Sequence, residues 1–147
     1  MTRDCHDADM DASRNEHTMR RIFDALAIGD RKPFAAAMTD DFSWTIAGVA
    51  SPWCRTWRGR LAVREGLFAP LFKQFAGTYT NRAVSFTSAG DRVVVECRGS
   101  VETHRGGHYD NEYCYVCRFD DAGGLVSVTE YADTALMDRE LAPPAAA

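Results

Sequence analysis

The chain has 147 residues, 46% hydrophobic and 11% aromatic, which fits one domain with a sizeable core. Its formal net charge of −4 argues against a broad nucleic-acid footprint, which needs clustered Lys and Arg, and no apolar run approaches the ~20 residues that span a bilayer. The opening MTRDCHDADMDASRNE has no apolar signal core, and the five cysteines, at 5, 54, 97, 114 and 117, have no framework spacing, so a cytoplasmic protein with reduced thiols is expected.

Residues 1–12 read as a mobile tail, and so do residues 142–147, leaving a single domain over 13–141. Ser13-Arg14-Asn15-Glu16 has the form of a capping box. Met19, Ile22, Phe23 and Leu26 follow at helical spacing and Gly29 supplies a stop, which predicts a helix over 13–28. Asp30 can cap a short second helix with Phe34 and Met38 on one face. Phe42, Trp44 and Ile46 alternate with Ser43 and Thr45 as in a short strand. A loop with Pro52, Trp53 and Trp57 comes next, and the two tryptophans are placed to close a pocket or simply to pack. Leu61, Phe68, Leu71, Phe72 and Phe75 form a third helical stripe, which Pro70 is expected to kink or split. From residue 78 the period becomes two. Four strands are predicted, over 78–88, 91–104, 108–120 and 124–132, joined by short turns as an antiparallel meander. Helices followed by a meander mean an α+β fold with the helices on one face of the sheet.

The stretch HYDNEYCYVCRFDD, residues 108–121, contains Cys-x-x-Cys. On a strand, Cys114 and Cys117 point to opposite faces, so they suit neither one metal nor one disulfide, and they read as small hydrophobes. His104 and His108 flank the Arg105-Gly106-Gly107 turn without a second spaced pair, so no metal is expected. Tyr109, Asn111, Tyr113, Tyr115, Cys117 and Phe119 share the apolar, inward face. An amide there needs a partner, which is either a neighbouring loop or helix end, or a ligand in a pocket. In the last strand, alternation puts Val126, Val128 and Glu130 on one inward face. Desolvation there would raise the pKa of Glu130, as suits a general base, whereas an ion pair with Arg98 would make it structural. Asp133 falls at the strand end, where it either points into a cavity mouth or caps the following amides. Arg98, Ser100 and Glu102 face outward by alternation, on a surface suited to dimerisation, unless a bulge near Gly99 flips the phase and turns Arg98 and Glu102 to the cavity. Trp44 is placed to line the cavity, and neither Ser51 nor Ser100 has an elbow motif for a nucleophile.

The order of elements, the Tyr-x-Asn-x-Tyr strand with its acidic-Gly turn, and the closing Glu130-Tyr131-Ala132-Asp133-Thr134 resemble the SnoaL-like and ketosteroid-isomerase-like branch of the nuclear transport factor 2-like superfamily, over residues 13–141. The resemblance implies a cone-shaped barrel of curved antiparallel sheet wrapped around N-terminal helices, with a deep cavity and a homodimer through the outer sheet face. In the limonene-epoxide-hydrolase branch a carboxylate at the position of Glu130 activates water, beside an Arg matched by Arg98 and an Asp replaced here by Ser100. In SnoaL-like cyclases a late Asp, matched by Asp133, is the base of an aldol closure. The base and oxyanion-hole positions of ketosteroid isomerases fall near Ile46 and near Ile22 or Phe23, which argues against steroid isomerisation.

The expectation is therefore a pocket protein of isomerase or cyclase type. Glu130 or Asp133 would act as base on a small apolar ligand with a carbonyl or epoxide, and Trp44, Arg98, Asn111, Tyr113 and Tyr115 would contact it. No cofactor is needed for this chemistry. The alternatives are a non-catalytic ligand-binding or dimerisation module, and water activation of epoxide-hydrolase type with Glu102 as second carboxylate.

Overall fold

The computed structural model describes residues 4–146. Helix α1 spans Cys5–Leu26 and α2 Lys32–Ala37, and the chain then enters strand β1, Met38–Ile46. A short β2, Thr56–Arg58, precedes a helical stretch made of α3, Arg60–Ala62, a π-helical segment, Val63–Phe68, and α4, Ala69–Phe72. The meander follows as β3, Thr80–Ala89, β4, Arg92–Ser100, β5, Glu112–Phe119, and β6, Leu125–Ala132, and α5, Thr134–Glu140, ends the fold.

The six strands form one curved, unclosed sheet in the order β2-β1-β6-β5-β4-β3. The meander pairs antiparallel throughout, as its short turns require. β1 departs from that pattern, because it lies parallel to β6, with Trp44 opposite Val128 and Ile46 opposite Glu130. Helix α1 packs mainly on β3, burying Met19, Ile22, Phe23 and Leu26. The core continues through Phe42, Trp44, Val93, Val95, Cys117, Phe119, Leu125 and Val128.

Four local expectations are corrected. Helix α1 starts at Cys5 with Asp4 as its N-cap residue, so Ser13 and Glu16 are interior helical residues and no capping box forms. The tail expected over residues 1–12 is thus helical from Cys5, while residues 1–3 and 147 lie outside the described residues. Trp57 belongs to β2 instead of a loop, and Trp53 and Trp57 are both buried in the core. Leu61 stands exposed, off the apolar stripe. Val126 is only half-buried, since a register shift between Arg118 and Phe119 sets Leu125 opposite Phe119, and Leu125 takes the inner face.

Pro70 neither splits nor sharply ends the third helix. It lacks the N–H that would bond back to Gly66, and its ring crowds the preceding turn. The backbone widens instead, and the Ala69 N–H bonds to the Arg64 carbonyl five residues back. The widened turn keeps Leu67, Phe68, Leu71 and Phe72 along one cavity wall.

Candidate active site

The concave side of the sheet and the helices α2 to α4 enclose a cavity of about 590 Å³. Its walls are largely aromatic and aliphatic, from Phe34, Trp44, Ile46, Leu67, Phe68, Phe72, Phe75 and Met137. Polar groups enter from three strands: Glu130 from β6, Tyr113 and Tyr115 from β5, and Asn81 from β3. Tyr79 and Tyr109, just outside β3 and β5, join them. An apolar pocket with a few convergent polar groups is the usual form of a small-molecule site.

Glu130 is buried between Ile46 of β1 and Tyr115 of β5, its two cross-strand neighbours. Its Oε2 accepts a hydrogen bond from the Trp44 indole N–H at 3.0 Å. Among the described residues nothing bonds to Oε1, and no cation pairs with this carboxylate. Burial pushes its pKa from the ordinary 4.5 up to about 7, and the indole hydrogen bond offsets part of that rise. Glu130 is therefore a carboxylate poised near neutrality, held on one oxygen and open on the other.

Opposite it stands a tyrosine cluster. The Asn81 amide donates to the hydroxyls of Tyr79 at 3.3 Å and Tyr115 at 3.4 Å, and Tyr79 donates to Tyr113 at 3.2 Å. Burial raises the pKa values of Tyr109, Tyr113 and Tyr115 well above the usual phenol value, so these phenols stay protonated. Because Tyr115 receives the Asn81 N–H, its own proton remains available to a ligand in the cavity. Gly99 makes the cluster possible, since a Cβ at that position would lie 2.5 Å from the Tyr79 hydroxyl and 2.8 Å from the Tyr113 ring.

Residues 19–128 match the family model of the SnoaL-like domain. The chain belongs to the SnoaL-like family. Among solved structures, Bal32a from a soil-derived mobile gene cassette superposes with a TM-score of 0.76 at 25% identity, covering 90% of this chain and 99% of its own. A proposed SnoaL-like polyketide cyclase from Jannaschia Sp. CCS1 gives a TM-score of 0.71 at 21% identity, over 90% and 95% of the two chains. TerC, co-crystallised with polyporic acid, gives 0.68 at 19% identity, over 86% and 97%. No curated protein matches the sequence. At these identities the neighbours establish the nuclear transport factor 2-like fold.

Within this SnoaL-like domain, Trp44, Tyr113, Tyr115 and Glu130 converge on the cavity, and four other candidates do not. Asn111 is buried but does not line the cavity; its side chain accepts from the Asp133 N–H and donates to the Asp133 carbonyl, both at 3.1 Å, and donates to the Tyr109 hydroxyl at 3.2 Å. The alternative of a helix-end partner is the one realised. Asp133 is the N-cap residue of α5, its carboxylate accepting the Leu136 N–H at 3.1 Å, so it is committed to the helix start. Arg98 lies on the outer face, 68% exposed, and pairs with Glu112 at 3.1 Å. Glu102 is exposed beside His108 at 3.7 Å, so the second carboxylate expected for a water-activating pair lies outside the cavity. Cys114 and Cys117 do take opposite faces, the first half-buried and the second buried, and both are free thiols.

Sequence reasoning missed Tyr79 and Asn81. The signal was present: Tyr79-Thr80-Asn81 repeats the Tyr-x-Asn of Tyr109-Asp110-Asn111 on another strand that starts at the same end of the sheet. Of these two amides, the cavity uses Asn81.

Proposed function

We propose that this SnoaL-like domain is an enzyme of isomerase or cyclase type, in which Glu130 removes a proton from the carbon next to a carbonyl. The observation that carries this reading is the Glu130 carboxylate itself, buried in an apolar cavity with Oε2 fixed by Trp44 and Oε1 unpaired. A structural carboxylate would be expected to pair with an Arg. This one is held where a ligand would meet it.

The chemistry follows from the geometry. Oε1 takes the α-proton, and the C–H electron pair becomes the enolate π bond. The Tyr115 hydroxyl, cross-strand neighbour of Glu130, donates to the developing oxyanion. A neutral phenol suits that task, because it keeps its proton while charge accumulates on the substrate. Glu130 then returns the proton, at a different carbon for an isomerisation, or to the alkoxide formed when the enolate attacks a second carbonyl in a ring closure. The apolar walls keep bulk water from the enolate. A homodimer through the outer sheet face, where the Tyr131 ring is exposed, is part of this reading, and sedimentation velocity checks it.

The test does not require the natural substrate. Neutral bicyclic ketones such as tetralone and indanone, incubated with the protein in deuterium oxide, should exchange their α-hydrogens faster than in buffer, as read by proton NMR. Glu130→Gln should remove the acceleration. Acceleration that persists in Glu130→Gln, or no acceleration with any ketone tried, defeats the assignment.

A further inference from the structure

The cavity is apolar over most of its wall but not at its rim. Asp30, Arg31, Lys32 and Arg64 also line it. Arg31 and Lys32 open α2, whereas Arg64 belongs to the π-helical segment, so two separate elements bring cations to one opening. The Arg31 guanidinium lies over the Phe72 ring, its carbon 3.7 Å from the centroid, and Phe72 is itself part of the wall. Stacking occupies the flat face of the guanidinium and leaves its N–H edge, the part that grips a carboxylate with two parallel hydrogen bonds.

Two of these cations are not matched locally. Among the described residues neither the Arg31 nor the Lys32 side chain forms an ion pair. Arg64 meets its sequence neighbour Glu65 at 3.5 Å, with both side chains largely exposed. Asp30 is the one carboxylate at the rim, and it accepts the backbone N–H of Lys32 at 3.0 Å. A chain of net charge −4 thus sets three cations against one carboxylate around its cavity mouth.

We infer that the substrate is an apolar keto acid, its carbonyl-bearing body inside the cavity and its carboxylate at the rim against Arg31 and Lys32. This rests on the reading of Glu130 as the base and adds a second anchor to it. The anchor sets direction: with the anion at the rim, the carbonyl end enters first, toward Glu130 and Tyr115. It also selects among apolar ketones of similar size, because the walls alone cannot distinguish an acid from its neutral ester.

The experiment compares benzoylpropionate with its methyl ester, which share one ketone body and differ in charge, by isothermal titration against the full chain. The acid should bind about tenfold tighter at low salt, the scale expected of one charge-assisted contact at a partly solvated site. Raising salt from about 10 mM to about 1 M, which contracts the screening length from ~30 Å to ~3 Å, should erase the preference. Arg31→Gln and Lys32→Gln should each bring the acid-to-ester ratio toward one. Equal binding of acid and ester, no binding of either, or a preference that survives both substitutions together overturns the inference. Deuterium exchange on the methyl ester separates the two readings. Glu130-dependent exchange without an acid preference removes the rim anchor and leaves the base. An acid preference without Glu130-dependent exchange keeps the anchor and removes the base.

Discussion

At the scale of single residues, the site depends on what Trp44 does to Glu130. The indole N–H favours the ionised carboxylate, while burial disfavours it. Trp44→Phe removes that hydrogen bond, so the pKa should rise further above 7 and the pH dependence of ketone exchange should shift to more alkaline values. A midpoint that stays in place, followed by NMR across the pH range, contradicts the assignment. Gly99 has an equally specific role. A methyl group there would push Tyr79 away from Tyr113, so Gly99→Ala should slow exchange by lowering kcat more than it changes ligand affinity. Equal losses in kcat and affinity would instead mark a general distortion of the cavity. None of these partnerships is written in spacing. The pattern of Val128 and Glu130 placed the carboxylate inward, but a partner 86 residues away in the chain is found only by folding.

At the scale of elements, the strands and helices were largely legible and their ends were not. Period two in residues 78–132 gave the meander and the inward face of β5, which carries Tyr113, Tyr115, Cys117 and Phe119 as expected. The capping signal at Ser13 was overridden because the acidic and polar residues before it continue the same helix. The β6–α5 junction could not be read, because Asn111 clamps it through the backbone of Asp133, and a backbone partner leaves no side-chain signal in the sequence. That clamp makes a prediction. Asn111→Ala leaves the Asp133 N–H unpaired, while the Asp133 carbonyl keeps the Met137 N–H, and should cost about 1–3 kcal/mol, measured by urea denaturation. Asp133→Ala should cost about 1 kcal/mol through the lost cap, and Asp133→Asn should restore most of it, since Asn caps as well as Asp. A loss of ketone exchange in Asp133→Asn at unchanged stability would return Asp133 to the reaction.

At the scale of the molecule, the buried carboxylate ties stability to pH. Between 4.5 and about 7 the folded protein keeps a proton on Glu130 that the unfolded chain has released. The sign is therefore the reverse of a salt-bridged carboxylate: stability is fully present below 4.5 and falls as pH rises through 7. The fall is on the order of 3 kcal/mol. Glu130→Gln carries no such charge, so it should gain on wild type as pH rises, and the gap should level off above 7. A gap independent of pH, by denaturation at several pH values, would mean that the carboxylate is not desolvated. The fold class followed from the order of helices and strands. The joining of β1 to the far end of the meander did not, because parallel pairing across so long an intervening chain leaves no local mark.

That parallel seam also dictates when the cavity carboxylate meets its partner. Helices and hairpins can form from neighbours in the chain, but Trp44 meets Glu130 only when the first strand docks on the last. Such a long closure is slow and comes late. A chain still emerging from the ribosome, with β6 unfinished, has no Trp44–Glu130 pair, so under the proposed function it would do no chemistry on a ketone it meets. In refolding, quenching or shifting of Trp44 emission should mark the final step, after the meander has formed. Competence for reaction and completion of the fold would then arrive together.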